Sequence, residues 1–361
     1  MPDGLTAGPV QRLLVTTDAV GGVWRYAVDL AGGLAARGIG TVLAVIGPAA
    51  DSMQRKEAEA VPGLRLVQTG LPLDWTAESP DALAHASQKL GALAALTGVS
   101  GVHLHAPALV GGHPWPVPVV AVAHSCVATW WRTMRGGDMP EDFRWRSDAA
   151  VAGLRAAAAV IAPTAAHAAL LQDVYGPMPI QVVHNGRDPA PLVILPRTRA
   201  VLTAGRLWDE GKGVARLDQA AAGLGAPVCA AGPVQGPNGA QASFQHLDLL
   251  GLLDQPGMAA AYAGATVYAS LARYEPFGLA VLEAAQAGMA LVLSDIPGFR
   301  ELWDGAALFV GADDDARPAL RQALDDPAPL AAAARRRAAR YTADAMTHAT
   351  LAVHRSVAAL A

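Results

Sequence analysis

Arg206 and Lys212 stand six residues apart just after an apolar run at 201–204, with Gly205 before the arginine and Gly213 after the lysine. Two fixed cations at a strand end beside a helix N-terminus suit a diphosphate, and they neutralise the charge that grows as it departs. A second grouping is Glu275-Pro276-Phe277-Gly278-Leu279, with Glu283 eight positions after the first glutamate. Pro276 and Gly288 bracket a predicted helix, which puts Glu275 at its mouth and Glu283 about two turns in. The backbone N–H groups of Gly278 and Leu279 would then face an anion, while Glu275 accepts hydrogen bonds from sugar hydroxyls and Glu283 from a ribose. Two weaker signals precede these. Gly21-Gly22 lets backbone approach a phosphate or sugar closely, and His124-Ser125 closes a strand where an imidazole can reach a sugar hydroxyl. Taken singly, each has an ordinary reading: a surface salt bridge, a dipole-stabilising glutamate, a tight turn, a structural histidine.

These residues need strand ends to hold them, and the pattern supplies strands. Apolar runs near 13–15, 41–46, 64–68, 102–105, 117–124, 160–163 and 180–184 alternate with helical periodicity, notably from Val23 to Leu34 and over 80–97. After the proline-rich stretch 188–196 the alternation restarts at 200–204, with further strands at 227–231, 266–269, 290–293 and 307–310, and helices after Gly213, near 258–263 and over 276–287. Strand–helix alternation predicts α/β parallel sheets covered on both faces, and ligands there lie beyond the carboxyl ends of the strands. The expected domains are 1–188 and 189–340, with a last helix, 341–361, returning to the first.

Composition agrees. A chain of 361 residues suits two domains, and 52% hydrophobic against 16% charged residues provides two cores. Through Asn185 there are 12 Lys+Arg against 14 Asp+Glu, and beyond it 15 against 17, so no basic footprint for nucleic acid exists. Cys126 and Cys229 fall in different predicted domains, which favours reduced thiols and a cytoplasmic setting. No run is long and apolar enough to span a bilayer.

In order and position the same residues resemble the family-4 (group 1) glycosyltransferases of GT-B architecture. The resemblance extends from Gly21-Gly22-Val23 through Val183-His184-Asn185-Gly186, Gly205-Arg206-Leu207 and Lys212-Gly213 to the stretch from Leu250 to Glu301. It implies two Rossmann-like domains with a deep interdomain cleft and retaining, metal-independent transfer from a UDP- or GDP-linked sugar, with no cofactor. The acceptor would be a saccharide, a lipid-linked molecule or a small molecule. His124, Arg206, Lys212 and Glu275 would be catalytic. Gly21, Gly22, Asn185, Gly232, Pro233, Leu252, Phe277, Gly278, Leu279 and Glu283 would bind the donor, and Tyr26, Trp131 and Arg132 the acceptor. Arg187 departs from the family pattern, standing where a small aliphatic residue is usual, as does Ala230-Ala231-Gly232 at a glycine-spaced turn.

Other features suggest other chemistry. Asp313-Asp314-Asp315 suits a hard cation but is expected simply to open a helix after a strand. His103 and His105 share one face of a strand but lack a third zinc ligand nearby, and both are expected as cleft-edge residues. Trp130-Trp131-Arg132 with Arg135, Arg144, Trp145 and Arg146 suits an acceptor lid, a peripheral contact with the inner membrane face, or a packed helical flap. A non-catalytic nucleotide-sugar binder is an alternative. A nicotinamide-dependent oxidoreductase would need the full glycine fingerprint, which Gly21-Gly22 lacks.

Overall fold

The computed structural model describes residues 10–191, 193–236 and 239–360, with the backbone alone for Asp142; Leu192 of the proline-rich stretch lies outside the described residues. The chain divides into two compact units. Unit 1 runs to Arg187 and takes up the chain again from Ala343, and unit 2 is Asp188–Thr342.

Unit 1 follows β1 (Arg12–Asp18), α1 (Gly22–Ala35), β2 (Gly40–Ile46), α2 (Ser52–Glu59), β3 (Leu64–Gln68), α3 (Pro80–Thr97), β4 (Gly101–Leu104), β5 (Val119–Val122), α4 (Val127–Met134), α5 (Glu141–Ala156), β6 (Ala159–Ala162), α6 (Ala165–Tyr175) and β7 (Gln181–Val182). Unit 2 follows β8 (Thr198–Ala204), α7 (Val214–Ala221), β9 (Val228–Ala231), β10 (Asp248–Gly251), α8 (Gln255–Gly264), β11 (Ala265–Ser270), α9 (Leu279–Gln286), β12 (Ala290–Ser294), α10 (Pro297–Trp303), β13 (Leu308–Val310), α11 (Arg317–Asp325) and α12 (Pro327–Ala338). The last helix, α13 (Ala343–Ala358), belongs to unit 1.

Both sheets are parallel, in the orders β3-β2-β1-β4-β5-β6-β7 and β10-β9-β8-β11-β12-β13. The inner strands of each are buried on both faces, which is why they read as unbroken apolar runs. In β1, Leu13 and Val15 pack with Leu30 and Leu34 of α1, while Leu14 turns the other way toward Leu83 and Leu90 of α3. Strand order reverses between β1 and β4 and again between β8 and β11. Such reversals leave a crevice at the carboxyl ends of the two diverging strands.

Local differences from the sequence expectations have identifiable causes. The strand near 117–124 begins only at Val119, because Pro118 accepts the Val102 N–H but has no N–H of its own to donate. The helix expected from Pro276 begins at Leu279, since Gly278 takes a left-handed φ of 88° and interrupts it. The amphipathic pattern gave no sign of α2, in which only Ala58 is buried, or of β10, an edge strand exposed along its length. The aspartate triplet sits in the turn before α11, where the Asp314 carboxylate accepts the Gly311 N–H and Asp315 pairs with Arg317.

Gly213 joins the turn at Lys212 to α7 with φ +65°, and a Cβ there would lie 1.9 Å from the Leu271 carbonyl oxygen. Gly213→Ala is therefore expected to cost about 3 kcal/mol through left-handed strain and overpacking. Urea unfolding of the variant checks this, and a midpoint equal to the parent's would contradict it.

Candidate active site

At the second reversal, β8 delivers Gly205 and Arg206, and the loop after β11 delivers Glu275. The Gly211 carbonyl accepts the N–H groups of Arg273 and Tyr274, at 2.9 and 3.2 Å, so the short turn Glu210–Lys212 is tied to that loop. In consequence Lys212 Nζ donates to Glu275 Oε2 at 2.6 Å, with both side chains mostly buried. Arg206 Nη2 donates to Asp209 Oδ2 at 2.9 Å, and the other Asp209 oxygen accepts the Gly211 N–H. Arg206 itself stays more open, 37% of its side chain being exposed.

Arg206, Lys212, Glu275 and Gly278 line a single cavity of about 320 Å³, counted with its open mouth, together with Thr203, Tyr268 and Ser270. Glu275 stands before α9, and Gly278 is the N-cap. Helix geometry leaves the first N–H groups of α9, at Leu279 and Ala280, without intrahelical acceptors. Two cations, a carboxylate and a helix N-terminus thus meet at one opening, an arrangement that can hold an anion beside a hydroxyl-bearing group.

Other residues singled out in the sequence lie around it. Glu283 does not line this cavity; farther along α9, its Oε2 accepts the hydroxyl of Tyr262, a buried residue of α8, at 2.8 Å. Phe277 is buried, edge-on to Tyr341, so what it can present to a ligand is backbone. Gly232 and Pro233 follow β9, where Gly232 passes so near Gly205 that a Cβ would fall 1.8 Å from the Gly205 carbonyl oxygen. Leu252, after β10, is 80% exposed, an apolar side chain in want of a cover.

In unit 1 the first reversal carries the other group. Asp18 Oδ1 accepts the N–H groups of Val20 and Gly21 at 2.8 and 3.1 Å, shaping the loop into Gly22 and α1. His105 follows β4 and His124 follows β5. Burial, followed by the neighbouring His105, holds the His124 imidazole well below the usual range, so it is neutral. Tyr26 is 2% exposed and its hydroxyl meets His103 Nε2 at 3.1 Å, while His103 Nδ1 meets His354 Nε2 of α13 at 3.2 Å. Both nitrogens of His103 are thereby committed, and at 0% exposure it is a core residue and not the cleft-edge residue expected. Asn185 is buried, and the adjoining Gly186 N–H donates to Met346 Sδ of α13. Arg187, unusual at its position, faces Asp29 of α1 at 3.6 Å.

The aromatic and basic stretch forms α4 and α5. Trp131 packs on Phe143 with ring centroids 6.1 Å apart, Arg132 pairs with Asp173 at 2.8 Å, and Arg146 lies over the Trp145 ring. A second cavity of about 250 Å³, counted with its mouth, opens beside them between Asp74, Cys126, Arg146, Ser147 and Tyr175. Burial pushes the Asp74 carboxyl up to about 6. Among the described residues no helix is long and apolar enough to cross a membrane, and no three or more His, Cys, Asp or Glu side chains gather so as to hold a metal ion.

Two family models match successive parts of the chain: Glycosyltransferase Family 4 over residues 20–190, and Glycosyl transferases group 1 over residues 198–328. The chain belongs to the family-4 (group 1) glycosyltransferases. As an enzyme of that family it transfers a sugar from a nucleotide-diphosphate sugar to an acceptor. Its GT-B fold, built of two Rossmann-like units, is shared with solved structures across nearly their whole length. Sucrose-phosphate synthase from Thermosynechococcus elongatus is 17% identical with a TM-score of 0.80, covering 97% of this chain and 100% of that one. A glycosyltransferase from Rickettsia africae is 16% identical, with a TM-score of 0.70 and coverage of 97% and 99%. HepE of Anabaena, solved with UDP and glucose, is 15% identical, with a TM-score of 0.69 and coverage of 95% and 98%. No curated protein matches the sequence.

Two residues of the glycosyltransferase that sequence reasoning passed over are Asp209 and Tyr262, which orient Arg206 and Glu283. Asp209 was legible as an acid between the two cations. Tyr262 was not, because it lies 21 positions from Glu283 and only the packing of α8 beside α9 joins them.

Proposed function

We propose that the enzyme is a retaining, metal-independent transferase whose UDP- or GDP-sugar donor is held by unit 2. The observation that carries this reading is the convergence of Arg206, Lys212, Glu275 and Gly278 on one cavity. Arg206, Lys212 and the mouth of α9 neutralise the departing diphosphate, work that a metal ion does elsewhere. Glu275 binds the donor sugar's hydroxyls and Glu283 the ribose, while Gly232, Pro233 and Leu252 receive the base. HepE, solved in complex with UDP-glucose, supports a UDP-sugar as the first donor to try.

In unit 1, Gly21, Gly22 and Asn185 complete the donor contacts, and His124 meets the transferred sugar. Trp131 and Arg132 form the acceptor wall, with Tyr26 supporting it from behind. The acceptor is a saccharide, a lipid-linked molecule or a small molecule. Because Glu275 is committed to sugar binding, no side chain serves as covalent nucleophile. The acceptor hydroxyl attacks the anomeric carbon from the face the diphosphate leaves, and the leaving phosphate oxygen takes its proton.

A release screen over UDP- and GDP-sugars, with and without acceptors, tests the reading. Turnover should persist in EDTA, and proton NMR of the product should show the donor's anomeric configuration kept. Loss of turnover in EDTA with recovery in Mg²⁺ or Mn²⁺, or an inverted centre, would refute it. Tyr262→Phe removes a hydrogen bond to a carboxylate, worth about 1.5–3 kcal/mol. It is expected to raise the donor KM about tenfold with kcat little changed, and an unaltered KM would take Tyr262 out of donor binding.

A further inference from the structure

His105 and His124 lie just past the ends of the adjacent strands β4 and β5, with ring centroids 4.9 Å apart. Tyr26 sets its ring edge-on against both, at 5.1 and 4.6 Å. Behind them, His103 spends both nitrogens on Tyr26 and His354. His105 differs. Both its ring nitrogens are covered and neither makes a hydrogen bond, and Nε2 of His124 is in the same condition. The Thr16 carbonyl lies near enough to favour an N–H on the His105 ring but outside hydrogen-bonding geometry. Each residue as a whole keeps partial exposure, whereas these ring nitrogens themselves are covered.

A buried polar atom left unmatched costs about 1–3 kcal/mol, which a ligand that satisfies it can recover. The two rings stand beside the reversal between β1 and β4, where a sheet of this kind takes its ligand. Burial pushes His105 down to about 3, and His124 is also held well down, so both imidazoles are neutral in any physiological buffer. A neutral imidazole has one N–H and one lone pair, the same pairing of donor and acceptor that a sugar hydroxyl presents. It has no charge with which to hold a phosphate.

We infer that His105 is a second sugar-contacting residue beside His124, the two imidazoles gripping hydroxyls of one uncharged sugar at the carboxyl edge of unit 1. This rests on the transferase reading above and extends it to a residue outside the family resemblance. The sugar is either the one being transferred or the acceptor, and the kinetics tell which. If His105 holds the transferred sugar, its loss weakens nucleotide-sugar hydrolysis without any acceptor. If it holds the acceptor, only the acceptor KM rises.

The test compares the full chain with His105→Phe and His105→Gln, using UDP-glucose and GDP-mannose as donors. Phenylalanine is expected to raise one of the two KM values at least tenfold, and glutamine, which restores an N–H and an acceptor, to bring it back within about threefold. Both KM values within twofold of the parent in His105→Phe would overturn the inference, as would a lowered melting temperature in both variants with KM unmoved. Should the variants not fold, histidine-ring NMR of the unsubstituted protein decides. The His105 signals shift on adding UDP-glucose, GDP-mannose, or glucose or mannose with the free nucleotide, and signals unmoved by all of these overturn it. A parent that releases no nucleoside diphosphate from any donor would fail the transferase reading instead, and the free-sugar titration would still decide His105.

Discussion

Lys212→Ala is expected to lower kcat/KM by about 10²–10³-fold, the loss typical when one preorganised group facing developing charge is removed. The lysine is held at 2.6 Å from Glu275 by a turn tied to the loop after β11. It is therefore in place before the diphosphate begins to leave, and little reorganisation is needed. Alanine at 212 also leaves Glu275 without its cation in a mostly buried setting, which would weaken the sugar contact proposed for that carboxylate. The two losses are coupled, so Lys212→Ala combined with Glu275→Gln should cost clearly less than the product of the single effects. Nucleoside-diphosphate release kinetics, run alongside thermal melting, check this. If Lys212→Ala fell less than threefold in kcat/KM, or if it only melted earlier, Lys212 would be a structural partner of Glu275 and not part of the chemistry.

Below about pH 6, unit 1 is expected to lose stability steeply. His103, His167 and His354 are at most 3% exposed. Burial lowers His167 and His354 to about 4 and His103 well below its usual value. In the unfolded chain the same imidazoles take up protons near pH 6.5, while the folded ones stay neutral. The unfolded state thus binds more protons as the pH falls, and the stability present above pH 6.5 drains away down to about pH 4. Each imidazole contributes a slope of up to about 1.4 kcal/mol per pH unit, so the three together give about 4, to which His105 and His124 add and which Asp74, raised to about 6, offsets by one proton. Unit 2 contains a single histidine, His246, and should be far less sensitive. Six of the eight tryptophans belong to unit 1, so urea unfolding followed by tryptophan fluorescence at pH 7, 6 and 5 reports mainly on it. A midpoint that held constant across that range would contradict the prediction. His354→Phe should remove one proton from the slope.

The α/β class, the positions of most strands and the candidate donor residues were legible in the linear chain, because each reading rests on short-range physics. Strands buried on both faces appear as unbroken apolar runs such as Leu13-Leu14-Val15. Candidate ligand contacts at a strand end lie within two residues of that strand, as Gly205 and Arg206 do after β8 and His124 after β5. Elements that bury little left no such mark, and for that reason α2 and β10 escaped notice. What only the folded chain decided are the pairings between residues distant in sequence. Lys212 meets Glu275 across 63 positions, Tyr262 meets Glu283 across 21, and His103 meets His354 across 251. Strand order settles these, through which strand ends become neighbours, and periodicity carries no record of that order. The same holds for Tyr26: its type suited an acceptor contact, but packing turned its hydroxyl inward to His103. Residue type and local spacing set which chemistry was available to this protein, whereas the order of strands and the burial it creates determined which of those groups stand together, and in which protonation state.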